Sequence, residues 1–175
     1  MPNPAVDIKS DDLHALESSE PGKEFLTFSL AEEEYGVDIL RVQEIRGWER
    51  VTRVPNSPGY MKGVLNIRGA IVPIVDLRQC FEMPVLEYTV TTVVIVLSVQ
   101  CLGQDKVVGI VVDSVSDVVS AKLGELQNAP EFGDQVNTNF ISGLASAEDK
   151  MIMLLDIEKL LCVAEETSQQ KIEAC

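Results

Sequence analysis

Short apolar runs separated by turn-forming residues make up most of this chain, which is the pattern of β-strands. Two of these runs meet at Asn66-Ile67-Arg68-Gly69. Val64, Leu65 and Ile67 before Gly69 predict a half-buried strand, and Ile71, Val72, Ile74, Val75 and Leu77 after it predict a second, almost wholly apolar one. Gly69 reads as the hinge, because glycine takes a positive φ without the roughly 1–2 kcal/mol that an ordinary L-residue loses there. Pro73 has no N–H for a ladder bond and so predicts an edge or a bulge. Arg68 falls at the exposed turn, where a guanidinium can grip a carboxylate by two parallel bonds, and Glu44 from an earlier segment is the candidate partner.

Elsewhere, residues 25–30 and 35–39 predict a hairpin across a charged turn at 31–34. Residues 40–45 fit either one helical turn or a bent strand. A short strand is expected over 48–54, ending at the turn formers Pro55-Asn56-Ser57-Pro58-Gly59. β-Branched residues dominate 91–99, the strongest strand signal, and predict that it is buried. Residues 100–106 are expected to turn, with 107–112 returning and 113–119 alternating as a half-exposed strand. A polar loop over 124–138, strands at 140–144 and 151–155, and a short helix at 156–161 capped by Asp156 complete the folded part. Residues 1–23 and 162–175 read as tails, the first disordered.

Composition narrows the function. Lys and Arg number 14 against 28 Asp and Glu, a net charge of −14, which repels phosphate backbones and anionic membranes and argues against nucleic acid as a partner. No apolar run reaches the roughly 18–20 residues that cross a bilayer. The four cysteines, Cys80, Cys101, Cys162 and Cys175, are widely spaced without a Cys-x-x-Cys, so they are expected to be reduced, and Cys80, Cys101 and Cys162 to serve as plain small apolar side chains in a cytoplasmic protein. The one histidine, His14, lies in the predicted tail, which leaves no Ser-His or Cys-His pair and no histidine metal site in the folded part. No glycine-rich phosphate loop or nucleophile elbow occurs. Catalytic, cofactor and metal sites are therefore expected to be none.

The chain also repeats itself. Tyr35-Gly36-Val37-Asp38 answers Val108-Gly109-Ile110-Val111 at an offset of 73, while Gly63-Val64-Leu65 answers Gly143-Leu144-Ala145, and residues 72–77 answer 152–157, at an offset of 80. About five short strands per half suffice to close a small barrel but leave little core in either alone, so the two halves are expected to pack together.

Glu33-Glu34-Tyr35-Gly36-Val37-Asp38-Ile39, Val42-Gln43-Glu44-Ile45, Lys62-Gly63-Val64-Leu65-Asn66-Ile67-Arg68-Gly69, Val72-Pro73-Ile74-Val75-Asp76-Leu77-Arg78 and Val108-Gly109-Ile110-Val111-Val112-Asp113 resemble the CheW family of chemotaxis coupling proteins, over about residues 24–161. The resemblance implies an all-β fold of two SH3-like five-stranded barrels, interleaved, over roughly 24–90 and 91–161. It also implies a non-catalytic adaptor that joins the cytoplasmic tip of methyl-accepting chemoreceptors to the regulatory domain of the histidine kinase CheA. Such a protein is recruited to the inner face of the membrane through the receptors without inserting. Ile67 stands where the family usually has Leu, a volume-conserving difference.

The same resemblance places partner-binding residues at Val42, Glu44, Gly63, Arg68, Val93, Val115, Val118 and Gly143. Arg68 and Glu44 are the polar pair of choice. The valines equally fit ordinary barrel core, and Gly63 and Gly143 fit positions of constrained backbone. A receptor helix in an apolar groove between the barrels, and a barrel edge packed end to end against the kinase, are the expected contacts. The competing reading is a small-molecule-binding double barrel, which requires a polar-lined internal pocket.

Overall fold

The computed structural model describes residues 22–121, 126–127, 140–147 and 149–162. They form β1 (Lys23–Leu30), β2 (Glu33–Asp38), a 3-10 turn (Ile39–Arg41), β3 (Val42–Gly47), β4 (Met61–Ile67), β5 (Ala70–Asp76), α1 (Leu77–Cys80), β6 (Val93–Cys101), β7 (Gln104–Val112), β8 (Ser114–Ala121), β9 (Ile141–Ala147) and β10 (Lys150–Leu155). A helix at 157–162 follows. The strands make two five-stranded sheets, in the orders β8-β1-β2-β10-β9 and β3-β6-β7-β5-β4.

Neither sheet is drawn from one half of the chain. The first takes β1 and β2 from the first half and β8 to β10 from the second; the other sheet makes the reverse selection. Strands from the two halves meet at four ladders: two antiparallel, β1 with β8 and β3 with β6, and two parallel, where Gly36 faces Leu154 and Gly109 faces Ile74. Those are equivalent positions of the sequence repeat, so the same contact is made twice. Other contacts recur at the same offset of 80. Tyr60 O accepts from Asp76 N–H at 2.7 Å, and Phe140 O accepts from Asp156 N–H at 2.8 Å. Each aspartate then caps a helix: Asp76 Oδ1 accepts from Arg78 N–H at 3.0 Å, and Asp156 Oδ1 from Lys159 N–H at 3.1 Å.

Period-two patterning divides the core into three. In β6, Ile95, Leu97 and Val99 point into a shared core with Phe28, Leu30, Val37, Ile110 and Leu160, while Val94 and Val96 turn the other way onto Leu65, Val72 and Ile74 inside the second sheet. Phe25, Ala145, Ile152 and Leu154 fill the first sheet. The shared cluster is the largest, which is why the two sheets pack on each other as their thin individual cores require.

Several expectations need correcting. Residues 48–54 form no strand beyond a single bridge from Thr52 to Val64, since Trp48, Val51 and Val54 recur every three residues, out of step with a strand's alternation. Residues 100–106 are not a loop: β6 and β7 run on and meet at a two-residue turn, Leu102 and Gly103, both with positive φ. Pro73 lies in an interior strand, not at an edge; it is accommodated because the ladder to β7 begins only at Ile74, and the neighbouring strand bulges between Met61 and Gly63. The open choice at 40–45 resolves into both forms, a 3-10 turn followed by β3 with a bulge between Val42 and Glu44. Cys101 and Cys162 are not plain apolar fillers but a disulfide, because the far end of β6 comes up against the 157–162 helix. Cys80 remains a free thiol. His14, Cys175, residues 1–21, most of the 124–138 loop and residues after 162 lie outside the described residues.

Candidate functional site

The β4–β5 hairpin carries the site's polar centre. Ile67 pairs with Ala70, so Arg68 and Gly69 are the two central turn residues, and both have positive φ, 52° and 86°. Such a turn matches the right-handed twist of its strands. Asn66 Oδ1 secures it by accepting from Gly69 N–H at 2.9 Å. The turn projects the Arg68 side chain into solvent, 85% exposed, where Nη2 lies 3.7 Å from Glu44 Oε2. Glu44 is on β3 and Arg68 is on the hairpin containing β4, the two edge strands of this sheet, so the pair spans the closure of the curled sheet. Glu44 Oε1 also lies 3.6 Å from Arg46, which reaches Glu49 at 3.4 Å, making a row of alternating charge along this edge.

The other expected residues divide between the two sheets. Val42 is on β3 and Val93 on the adjacent β6, both half-buried against the shared core. Val115 and Val118 lie on β8 at the edge of the first sheet; Val115 packs on the shared core, whereas Val118 is exposed. Gly63 and Gly143 are buried equivalents. A Cβ on Gly63, which has φ 150°, would run into Thr52 O, and one on Gly143 would sit 2.9 Å from Gln127 O. Both glycines let an incoming segment bridge the edge of their sheet, Thr52 to Val64 and Gln127 to Leu144. Gly143 also lines an open cleft of about 480 Å³ with Phe25, Val37, Leu154 and Ile157.

Sequence reasoning missed a second polar centre. Arg78, 7% exposed, donates from Nε to Asp113 Oδ1 at 2.6 Å, from Nη2 to Asp113 Oδ2, and from Nη1 to Pro84 O at 3.1 Å. Asp113 Oδ2 also accepts from Ala31 N–H at 3.0 Å, so this fork ties α1 of one sheet to the β1–β2 turn of the other. Burial raises the Asp113 pKa, but the Arg78 guanidinium and the Ala31 N–H outweigh it and hold the carboxyl below its usual range. Buried Asp76, already the α1 cap, accepts from Tyr88 Oη at 2.7 Å, and Tyr88 packs 4.2 Å from the Trp48 ring. Burial first, and then Asp76, raise the Tyr88 phenol; the same two causes push the Cys80 thiol up to about 12, so it stays protonated at neutral pH. The repeat held a signal for one of these: Asp156 reads as a cap, and Asp76 is its equivalent.

The family model of the CheW-like domain matches residues 24–165. The chain belongs to the CheW family. It is 53% identical over 140 residues to the chemotaxis protein CheW of Klebsiella aerogenes, covering 80% of this chain and 82% of that one. A probable chemotaxis protein CheW of Rhizobium etli is 37% identical over 153 residues, covering 87% and 96%. Among solved structures, the scaffolding protein TtCheW of Thermoanaerobacter tengcongensis superposes with a TM-score of 0.71 at 32% identity, covering 79% of this chain and 92% of that one. CheW-like membership and the curled double-sheet architecture agree: this is a chemotaxis coupling adaptor of the non-catalytic scaffold family, acting among chemotaxis signalling proteins.

Proposed function

We propose that this adaptor links the cytoplasmic tip of methyl-accepting chemoreceptors to the regulatory domain of the histidine kinase CheA within signalling arrays. It works without catalysis and stays on the cytoplasmic side, held near the membrane by the receptors. Among the described residues no helix is long and apolar enough to cross a membrane. The observation that carries the reading is the Arg68–Glu44 pair, set by a tight hairpin on the outer edge of a CheW-like sheet, where a partner can reach both charges. Val42 on the same strand as Glu44 and Val93 on the adjacent strand, with Gly63 shaping the edge, form one contact surface; Val115, Val118 and Gly143 on the first sheet form the other. Two modest contacts, about 800 Å² or less per partner, suffice because assembly in an array adds avidity. The small-molecule reading is not favoured, since fully buried Phe28, Leu30, Ile95, Leu97 and Ile110 fill the space between the sheets.

The test is reconstitution of this chain with a CheA-type kinase and receptor-bearing membranes, following kinase autophosphorylation. Stimulation that requires all three components supports the adaptor; a folded chain that leaves the kinase rate unchanged overturns it.

A further inference from the structure

Six arginines occur in the sequence, and four of them, Arg41, Arg46, Arg68 and Arg78, meet a carboxylate. The remaining two, Arg50 and Arg53, line one groove together with Lys62, Trp48, Val51, Thr52 and Tyr88. No carboxylate among the described residues lies within ion-pair distance of either arginine or of Lys62, and the one acid in this stretch, Glu49, is engaged by Arg46. In a chain of net charge −14 this is a local reversal of sign. Its framework is held from behind: Trp48 N–H donates to Thr92 O at 3.0 Å, Tyr88 Oη is committed to Asp76, and the Thr52 backbone to Val64. What remains for a ligand is two aromatic rings and three cations along a groove of about 820 Å³.

We propose that this groove binds an acidic segment of a partner protein, with its carboxylates on Arg50, Arg53 and Lys62 and an apolar side chain against Trp48 and Tyr88. The cations sit on side chains strung along the chain, Arg50 and Arg53 being separated by at most about 10 Å of extended backbone. That suits spaced carboxylates better than one compact phosphate, which is usually cradled by converging backbone N–H groups. Long-range repulsion from the rest of the acidic surface is limited at physiological ionic strength, where the screening length is about 8 Å. The proposal does not depend on the Arg68–Glu44 contact.

Trp48 is the sole tryptophan, so its emission reports from within the groove. The full chain is titrated, at physiological salt, with a peptide of about twelve residues in which glutamates are spaced between leucines and alanines. A saturable emission change is expected, with affinity falling on the order of tenfold in the Arg50→Gln/Arg53→Gln variant and holding in Arg68→Ala. Both variants alter exposed side chains, and circular dichroism verifies their folding. No saturable change, equal binding of the glutamine version of the peptide, or undiminished binding by the double variant overturns the proposal. So does preferential binding of tripolyphosphate or of anionic phospholipid vesicles, either of which reassigns the groove.

Discussion

Gly109 lies beside Ile74 on the parallel ladder of β5 and β7, one of those that join the two sequence halves, and only a hydrogen fits between them. A Cβ on Gly109 would come within 2.6 Å of Ile74 Cδ1 and 2.9 Å of Val94 Cγ1, both on fully buried side chains. At the equivalent contact in the other sheet, a Cβ on Gly36 meets Leu154 Cδ2 at 3.0 Å. The repeat keeps glycine at both positions, where each sheet has a close approach between its two parallel strands.

Gly109→Ala is therefore expected to lower stability by about 1–3 kcal/mol through overpacking, and Gly36→Ala by less. Ile74→Val removes the clashing methyl and should recover part of the loss in the double variant. Thermal melts of the four proteins measure this; purely additive effects would show that the two sites do not share the contact.

Arg68→Ala and Glu44→Ala should separate coupling from folding. With Arg68 85% exposed, the pair contributes about 0–1 kcal/mol, so both variants are expected to melt close to the parent. Their stimulation of the kinase in the three-component assay should fall sharply. Full stimulation by both variants would remove this pair from the contact surface.

Breaking the Arg78–Asp113 fork has the opposite profile. Asp113→Asn should cost about 3–5 kcal/mol, because it leaves a nearly buried guanidinium without its counter-charge. The folded pKa of Asp113 lies below its unfolded value, so its contribution is complete above about pH 4 and is lost as pH falls through the folded value. Arg78 is raised above an already high value, chiefly by the Asp113 hydrogen bond, and adds no dependence near neutrality. Denaturant titrations from neutral to strongly acid pH should thus show a steeper acid loss in the parent than in Asp113→Asn.

Reduction of Cys101–Cys162 is expected to lower stability by about 2–4 kcal/mol, given a closed loop of 61 residues' separation. It also frees one tie on the 157–162 helix, which stays held by Glu158, paired with Arg41 at 2.7 Å, and by Ile157, Leu160 and Leu161 in the shared core. Melting with and without reductant, against a Cys101→Ala/Cys162→Ala control that should not respond, checks both the bond and its contribution.

Alternation, turn residues and the internal repeat were enough to place the hairpins, the buried β6 strand, the Asp156 cap and Arg68 opposite Glu44, because each is written in local order or in a family pattern. They could not say which strands pair across the two halves. Periodicity reports that a face is buried, not what covers it, so the exchange of strands between halves was decided by tertiary pairing, at the antiparallel β1–β8 and β3–β6 ladders and at the two parallel ladders with their glycine contacts. The same limit hid the disulfide, the Arg78–Asp113 fork and the Trp48–Tyr88 groove. Their partners stand 61, 35 and 40 residues apart, and only the closed topology brings them into reach.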